Sequence, residues 1–171
     1  MDAVKERAYE KLVQNLDDLI KLYRQLLDLA RKEKEALINA DSEVIIDINS
    51  QKETQIQKIK LADTLRYKHA KELCILIKAD AENPRLLEIA QKLQGTMGDH
   101  LRNLHKTLDM IISRIIELNK DNDELAQRAL KVLNGTMTNI KETLSGKKTY
   151  ERKGQYKQGP EQSGNFISKE I

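Results

Sequence analysis

The sequence predicts an all-α fold: an antiparallel bundle of three long helices plus one short helix, with coiled-coil-like packing and a disordered C-terminal tail. Three observations predict it. The 171 residues hold only 7 Gly and 2 Pro, aromatics make up 4% and Trp is absent, a composition that favours long helices over sheets. Apolar residues recur in steps of three and four over three long stretches, the rhythm of helices that pack side by side. The apolar share of 39% beside 33% charged residues supplies one stripe per helix and no thick globular core.

The first helix is expected from about Asp2 to Asn39. Leu12, Leu16, Leu19, Tyr23, Leu26, Ala30 and Leu37 form its seam, with a seven-residue step across Glu33. Ile20 and Leu27 widen the stripe, as in a bundle rather than a two-stranded coil. At about 1.5 Å per residue this helix is roughly 55 Å long. Asn39-Ala40-Asp41-Ser42 is a short polar break in which Asp41 or Ser42 can cap the next helix, and so short a connection sends that helix back antiparallel. The return helix, about Glu43 to Ile77, has good spacing but a polar middle at Lys52, Gln55, Arg66 and His69. Either Val44, Ile56, Leu61 and Leu65 share the burial or the middle is partly wet, which leaves room for a homodimer that completes the core.

Asn83-Pro84 reads as a cap followed by a first-turn proline, opening a short helix to Leu93. Gly95 and Gly98 then interrupt, and Asp99 is positioned to cap the last long helix, about Asp99 to Leu144. The seam of that helix runs Leu101, Leu104, Leu108, Ile111, Ile115, Leu118, Asn122, Leu125, Ala129 and Val132. In register it would continue through the polar Thr136, Asn139 and Thr143. The apolar residues stand one position away instead, at Leu133, Met137, Ile140 and Leu144, so the apolar face is expected to turn near Asn134-Gly135. Gly135 is a weak point there and a candidate hinge. Two readings of the shifted stripe stand side by side: a twisting bundle buries it, or an amphipathic arm offers it to a partner helix. Met137 suits a surface that repacks around different partners.

Two regions follow, a helical bundle over residues 1–145 and a flexible basic tail over residues 146–171. The tail holds six Lys/Arg against three Asp/Glu, while the residues before it balance to zero charge. A neutral body with a mildly basic tail lacks the basic stripe of a nucleic-acid binder. Tyr150, Tyr156 and Phe166 put three of the six aromatics in the tail, which makes them candidate docking residues.

The chemistry of a catalyst is not visible. There is no phosphate-cradling glycine motif and no Cys-x-x-Cys pair. The three histidines, His69, His100 and His105, lack the Glu three residues earlier that a di-iron bundle needs. No cofactor or metal is expected, and the sequence predicts a binding protein rather than an enzyme. Cys74 reads as a small buried apolar residue, and His69 and Arg66 as partly wet structural contacts. Asn122, with Asn119 one turn before it, reads as a register-fixing polar residue in the seam. The charged start Met1-Asp2-Ala3-Val4-Lys5-Glu6 carries no apolar signal segment, and no stretch reaches a membrane span, so a cytoplasmic location is expected.

The order of segments resembles a known family. The first helix carries Leu26-Leu27-Asp28-Leu29-Ala30-Arg31-Lys32-Glu33-Lys34-Glu35-Ala36-Leu37. The return helix carries Lys52-Glu53 and Leu65-Arg66. The last helix carries Leu118-Asn119-Lys120-Asp121-Asn122-Asp123-Glu124-Leu125, and the tail carries Thr149-Tyr150 and a closing Phe166-Ile167-Ser168-Lys169-Glu170-Ile171. Over nearly the whole chain this resembles the FlgN family of flagellar export chaperones. The resemblance implies a cytoplasmic protein that binds hook–filament junction proteins through their amphipathic C-terminal helices. It would keep them soluble and deliver them to the flagellar type III export gate. It implies client contact near the C-terminal end, which maps onto Leu133, Met137, Ile140 and Leu144, and contact with the gate through a tyrosine nearby, at Tyr150 or Tyr156. The rival reading is a structural coiled-coil scaffold that acts through self-association.

Overall fold

A computed structural model describes residues 3–144 and the backbone of residues 149–150 and 156–157. The seam of the first helix forms α1, Ala3–Ile38. Leu12, Leu16 and Ala30 are fully buried, and Ile20 and Leu27 widen the buried face. Ala40 takes a left-handed conformation at the end of α1, and Asp41 N–H returns to the Ala36 carbonyl. The Asp41 carboxylate then accepts from Val44 N–H and caps α2, Ser42–Ile77. A left-handed Lys78 closes α2, with Ala79 N–H on the Cys74 carbonyl, the αL ending that satisfies carbonyls left over at a helix terminus.

The pairing of residues gives the directions. Gln55 of α2 donates to the Leu22 carbonyl at 2.8 Å and to Gln25 at 2.9 Å, and Lys52 reaches Glu33, so α2 runs antiparallel to α1. Two further helices follow, α3 (Leu86–Leu93) and α4 (Gly95–Leu144). Tyr9 hydroxyl donates to the Met97 carbonyl and Asn122 to the Ala30 carbonyl, so α4 runs parallel to α1. The architecture is the expected up-down-up bundle. The chain divides into two compact units, residues 1–123 and 124–171, with the division inside α4.

In the first unit the dry core lies where α3 covers the three long helices. Leu12, Leu16, Leu73, Cys74, Ile89, Ala90 and Leu101 are all at most 1% exposed there. The middle of α2 is the wet alternative: Val44, Ile56, Leu61 and Leu65 are exposed, while Ile48, Gln55 and Ile59 face inward. Arg66 and His69 are half-buried, and the Cys74 thiol is buried as expected.

Three local expectations are corrected. Asn83 does not cap α3. Asp80 accepts from the N–H groups of Glu82 and Asn83 in a side-chain-closed turn, Arg85 N–H bonds to the Asn83 carbonyl, and the helix begins only at Leu86. Gly95 and Gly98 do not separate α3 from a helix capped by Asp99. The chain reverses at Gln94 and Gly95, both with φ near +54°, and α4 starts at once, with Asp99 inside it and paired to Arg102. Gly98 serves packing, since a Cβ there would overlap the Ala90 carbonyl oxygen. The third correction is the end of the α4 seam. Leu118 and Asn122 are buried and Leu125 is half-buried, but Ala129 is exposed and Val132 is 70% exposed.

In the second unit, residues 124–144 are the continuation of α4. Beyond them Thr149–Tyr150 (β1) and Tyr156–Lys157 (β2) pair antiparallel, with Tyr150 opposite Tyr156. The expected disordered tail otherwise lies outside the described residues, as does Phe166.

Candidate interaction surface

Every residue from 127 to 144 is exposed, although the segment is helical throughout. Leu133, Met137, Ile140 and Leu144 stand 51–65% open to solvent, so the helix carries an exposed apolar stripe. Leu130, at 59%, belongs with them. Sequence reasoning missed it because it sits beside Ala129, which continued the count of the bundle seam. The signal was there, since Leu130, Leu133, Met137, Ile140 and Leu144 follow steps of three, four, three and four. At about 100° per residue these five lie within an arc of about 80°, and they span about 21 Å of helix.

The exposed stripe is already established at Leu130, four residues before Asn134. Gly135 lies within continuous helix, and a Cβ added there would meet nothing within 4 Å. Neither backbone conformation nor packing requires glycine at that position.

Local chemistry makes this a weak helix former. Gly135, the threonines at 136, 138 and 143 and the asparagines at 134 and 139 all have poor helix propensity. The three threonine hydroxyls donate back to the carbonyls of Val132, Asn134 and Asn139 at 3.0, 2.9 and 2.8 Å. Each hydroxyl proton is thus bonded within the helix itself. Tyr150 and Tyr156 are opposed in the backbone pairing of β1 and β2; their side chains lie outside the described residues.

A second constellation lies in the first unit, where α1, α2 and α4 meet. Glu33 carboxylate accepts from Lys52 Nζ at 2.7 Å and from Asn122 Nδ2 at 2.7 Å. Asn122 Nδ2 also donates to the Ala30 carbonyl at 2.9 Å, and Lys52 reaches Asn119 Oδ1 at 3.4 Å. The side chains of Lys52 and Glu33 are only 17% and 12% exposed. At the rim Lys34 bonds Asp121 at 2.9 Å, and that hydrogen bond, with the lysine charge behind it, holds the Asp121 carboxyl below its ordinary range. The seam residues Glu33, Lys52 and Asn122 looked like separate polar interruptions in sequence. Together they lock three helices at one level, the register role expected of Asn122. Asn122 Oδ1 is left without a partner, so the lock is not fully satisfied.

Among the described residues no cluster of His, Cys, Asp and Glu could hold a metal ion. Burial, and then the carboxylates of Asp80 and Glu88, raise the Cys74 thiol away from its reactive form. No helix among the described residues is long and apolar enough to cross a membrane. The described residues present a braced three-helix body and an exposed aliphatic stripe.

No curated protein and no solved structure matches the chain. A family model does: that of the FlgN protein matches residues 1–158, spanning all four helices and both tyrosines of the β pair. With that match over most of its length and the helical bundle in place, the chain belongs to the FlgN family of flagellar export chaperones.

Proposed function

We propose that this chaperone acts in the cytoplasm and binds hook–filament junction proteins, covering an amphipathic C-terminal helix of the client with the stripe Leu130, Leu133, Met137, Ile140 and Leu144. The observation that carries the reading is the exposure of these aliphatic side chains at helical spacing. An aliphatic row of this kind is the anchor pattern of helix-in-groove recognition. Each side chain removed from water contributes about 1–2 kcal/mol gross, from which immobilisation of both partners subtracts. The outcome is a reversible complex, as delivery to an export gate requires. Gly135 would act as a hinge within the surface, and Tyr150 and Tyr156 as the contact with the gate. Support for the tyrosines is their opposition in the β1–β2 pair.

The test is co-expression with candidate junction proteins, followed by size-exclusion chromatography with light scattering. Met137→Glu and Ile140→Glu should abolish the complex and leave far-UV helicity native, because both residues are more than half exposed. Loss of fold in these variants would return the stripe to a structural role. A self-associated rod that takes no client would favour the scaffold reading instead.

A further inference from the structure

The residues that border the stripe carry almost no charge. Taking the centre of the stripe as zero and about 100° per residue, the flanking positions within about 100° on either side are Gln127, Ala129, Asn134, Thr136, Lys141 and Thr143. Lys141 is the one ionised group among them. The other charges of the segment, Arg128, Lys131 and Glu142, fall about 140–160° from the stripe on the far face. The helices of the first unit differ, because there ion pairs sit in the seams and at their rim, as in Lys52–Glu33 and Lys34–Asp121.

Position alone does not make a flank easy to dehydrate. The hydroxyls of Thr136 and Thr143 already donate to the carbonyls of Val132 and Asn139, so covering them strands no donor, and their methyl groups add apolar surface. A charged partner residue laid against Ala129, Thr136 or Thr143 would lose water and gain no counter-ion, which costs several kcal/mol per ion in a buried setting. In helix pairs, charges at the flanking positions are what usually select the partner. Here selection by charge is confined to one site, Lys141.

We infer that the surface is built for a partner helix that is itself uncharged along its flanks: an aliphatic three-four stripe bordered by Ala, Ser, Thr, Asn or Gln, with at most one acidic residue, opposite Lys141. This inference rests on the functional reading above and specifies the chemistry of the client helix. Discrimination comes from excluding charged helices, and affinity comes from apolar burial that salt does not screen.

The experiment titrates a co-purified hook–filament junction protein against the full chain in 50 and 500 mM NaCl. It compares the unmodified chain with Thr136→Glu/Thr143→Glu, Thr136→Val/Thr143→Val and Met137→Glu. Affinity should change by less than about threefold between the two salt concentrations, where charge-steered pairing would change tenfold or more. The Glu pair should weaken binding by about tenfold or more at both concentrations, the Val pair should stay within about threefold, and Met137→Glu should abolish it. If Met137→Glu abolishes binding but affinity falls steeply with salt, or the Glu pair binds normally, the inference fails and the functional reading stands. If Met137→Glu binds the client normally, or no client binds, the functional reading fails and takes the inference with it. A concentration-dependent dimer of the chain alone that Met137→Glu dissolves would make a second copy the occupant and would overturn the assignment to a client helix.

Discussion

Replacing Lys52 by methionine isolates the worth of the polar lock. The substitution keeps most of the aliphatic stem and deletes the ammonium, leaving Glu33 carboxylate with only the Asn122 amide as a cross-helix donor. Breaking a fully buried ion pair from one side costs about 3–5 kcal/mol. The two side chains keep 17% and 12% exposure, so water reaches the orphaned carboxylate and the cost falls to about 2–3 kcal/mol. Adding Glu33→Gln removes the stranded charge, so the double variant should recover about half of the loss or more, a coupling of about 1–2 kcal/mol. Urea unfolding followed by far-UV circular dichroism reads this directly, with an unchanged denaturant slope showing that the same surface is exposed on unfolding. A loss under about 0.5 kcal/mol for Lys52→Met, or no coupling to Glu33→Gln, would mean the pair is effectively solvated and does not brace the helices.

Gly98→Ala should destabilise the first unit by about 2 kcal/mol or more, because its Cβ would collide with the Ala90 backbone oxygen, which cannot rotate away; a thermal melt matching the parent would refute the close approach. Gly135→Ala should do the opposite, strengthening the helix by about 1 kcal/mol with nothing in its way, visible as slower amide hydrogen exchange over residues 130–144. The Asp121 carboxyl is held low by Lys34. Its contribution to stability is therefore present above the unfolded-state pKa and lost as pH falls through the lower folded value. Carbon-13 titration of Asp121 should move back toward the ordinary range in Lys34→Ala, and an unchanged midpoint would remove the Lys34 bond as the cause.

Much of the bundle was legible because helix seams are periodic. The line from Leu12 through Ala30 and the line from Leu101 through Leu118 are buried where their spacing put them, apart from the half-buried Tyr23 and Leu108. Exposure was not legible, because period alone does not say whether a partner lies against a stripe. That ambiguity hid Leu130 and carried the α4 seam too far, to Ala129 and Val132. The start of α3 failed for a different reason, while its end at Leu93 held. Asn83-Pro84 has the right residues for a cap, but the Asp80 carboxylate reached the Glu82 and Asn83 N–H groups first, a competition between neighbouring side chains that no single position announces. The lock of Glu33, Lys52 and Asn122 was visible only as three breaks in three seams, since their meeting depends on the relative register of helices that the sequence does not state.

On the proposed reading, stability and recognition fall to different residues of one helix. The seam of α4 from Leu101 to Asn122 packs into the bundle and Asn122 is hydrogen-bonded to α1, while the stretch from Leu130 to Leu144 is exposed. A chaperone that used a single apolar face for both tasks would be caught between them, because strengthening its own core would bury the client site and opening the site would loosen the core. Placing the proposed site in the exposed stretch from Leu130 to Leu144 avoids that conflict. Substitutions should then sort into two sets that act independently: changes to Lys52, Glu33 or Gly98 alter the unfolding midpoint and leave client affinity as it was, and changes to Met137 or Ile140 do the reverse. Strong coupling between one member of each set, such as Lys52→Met with Met137→Glu, would show that the client is read by the bundle as well, and the division of labour along α4 would have to be abandoned.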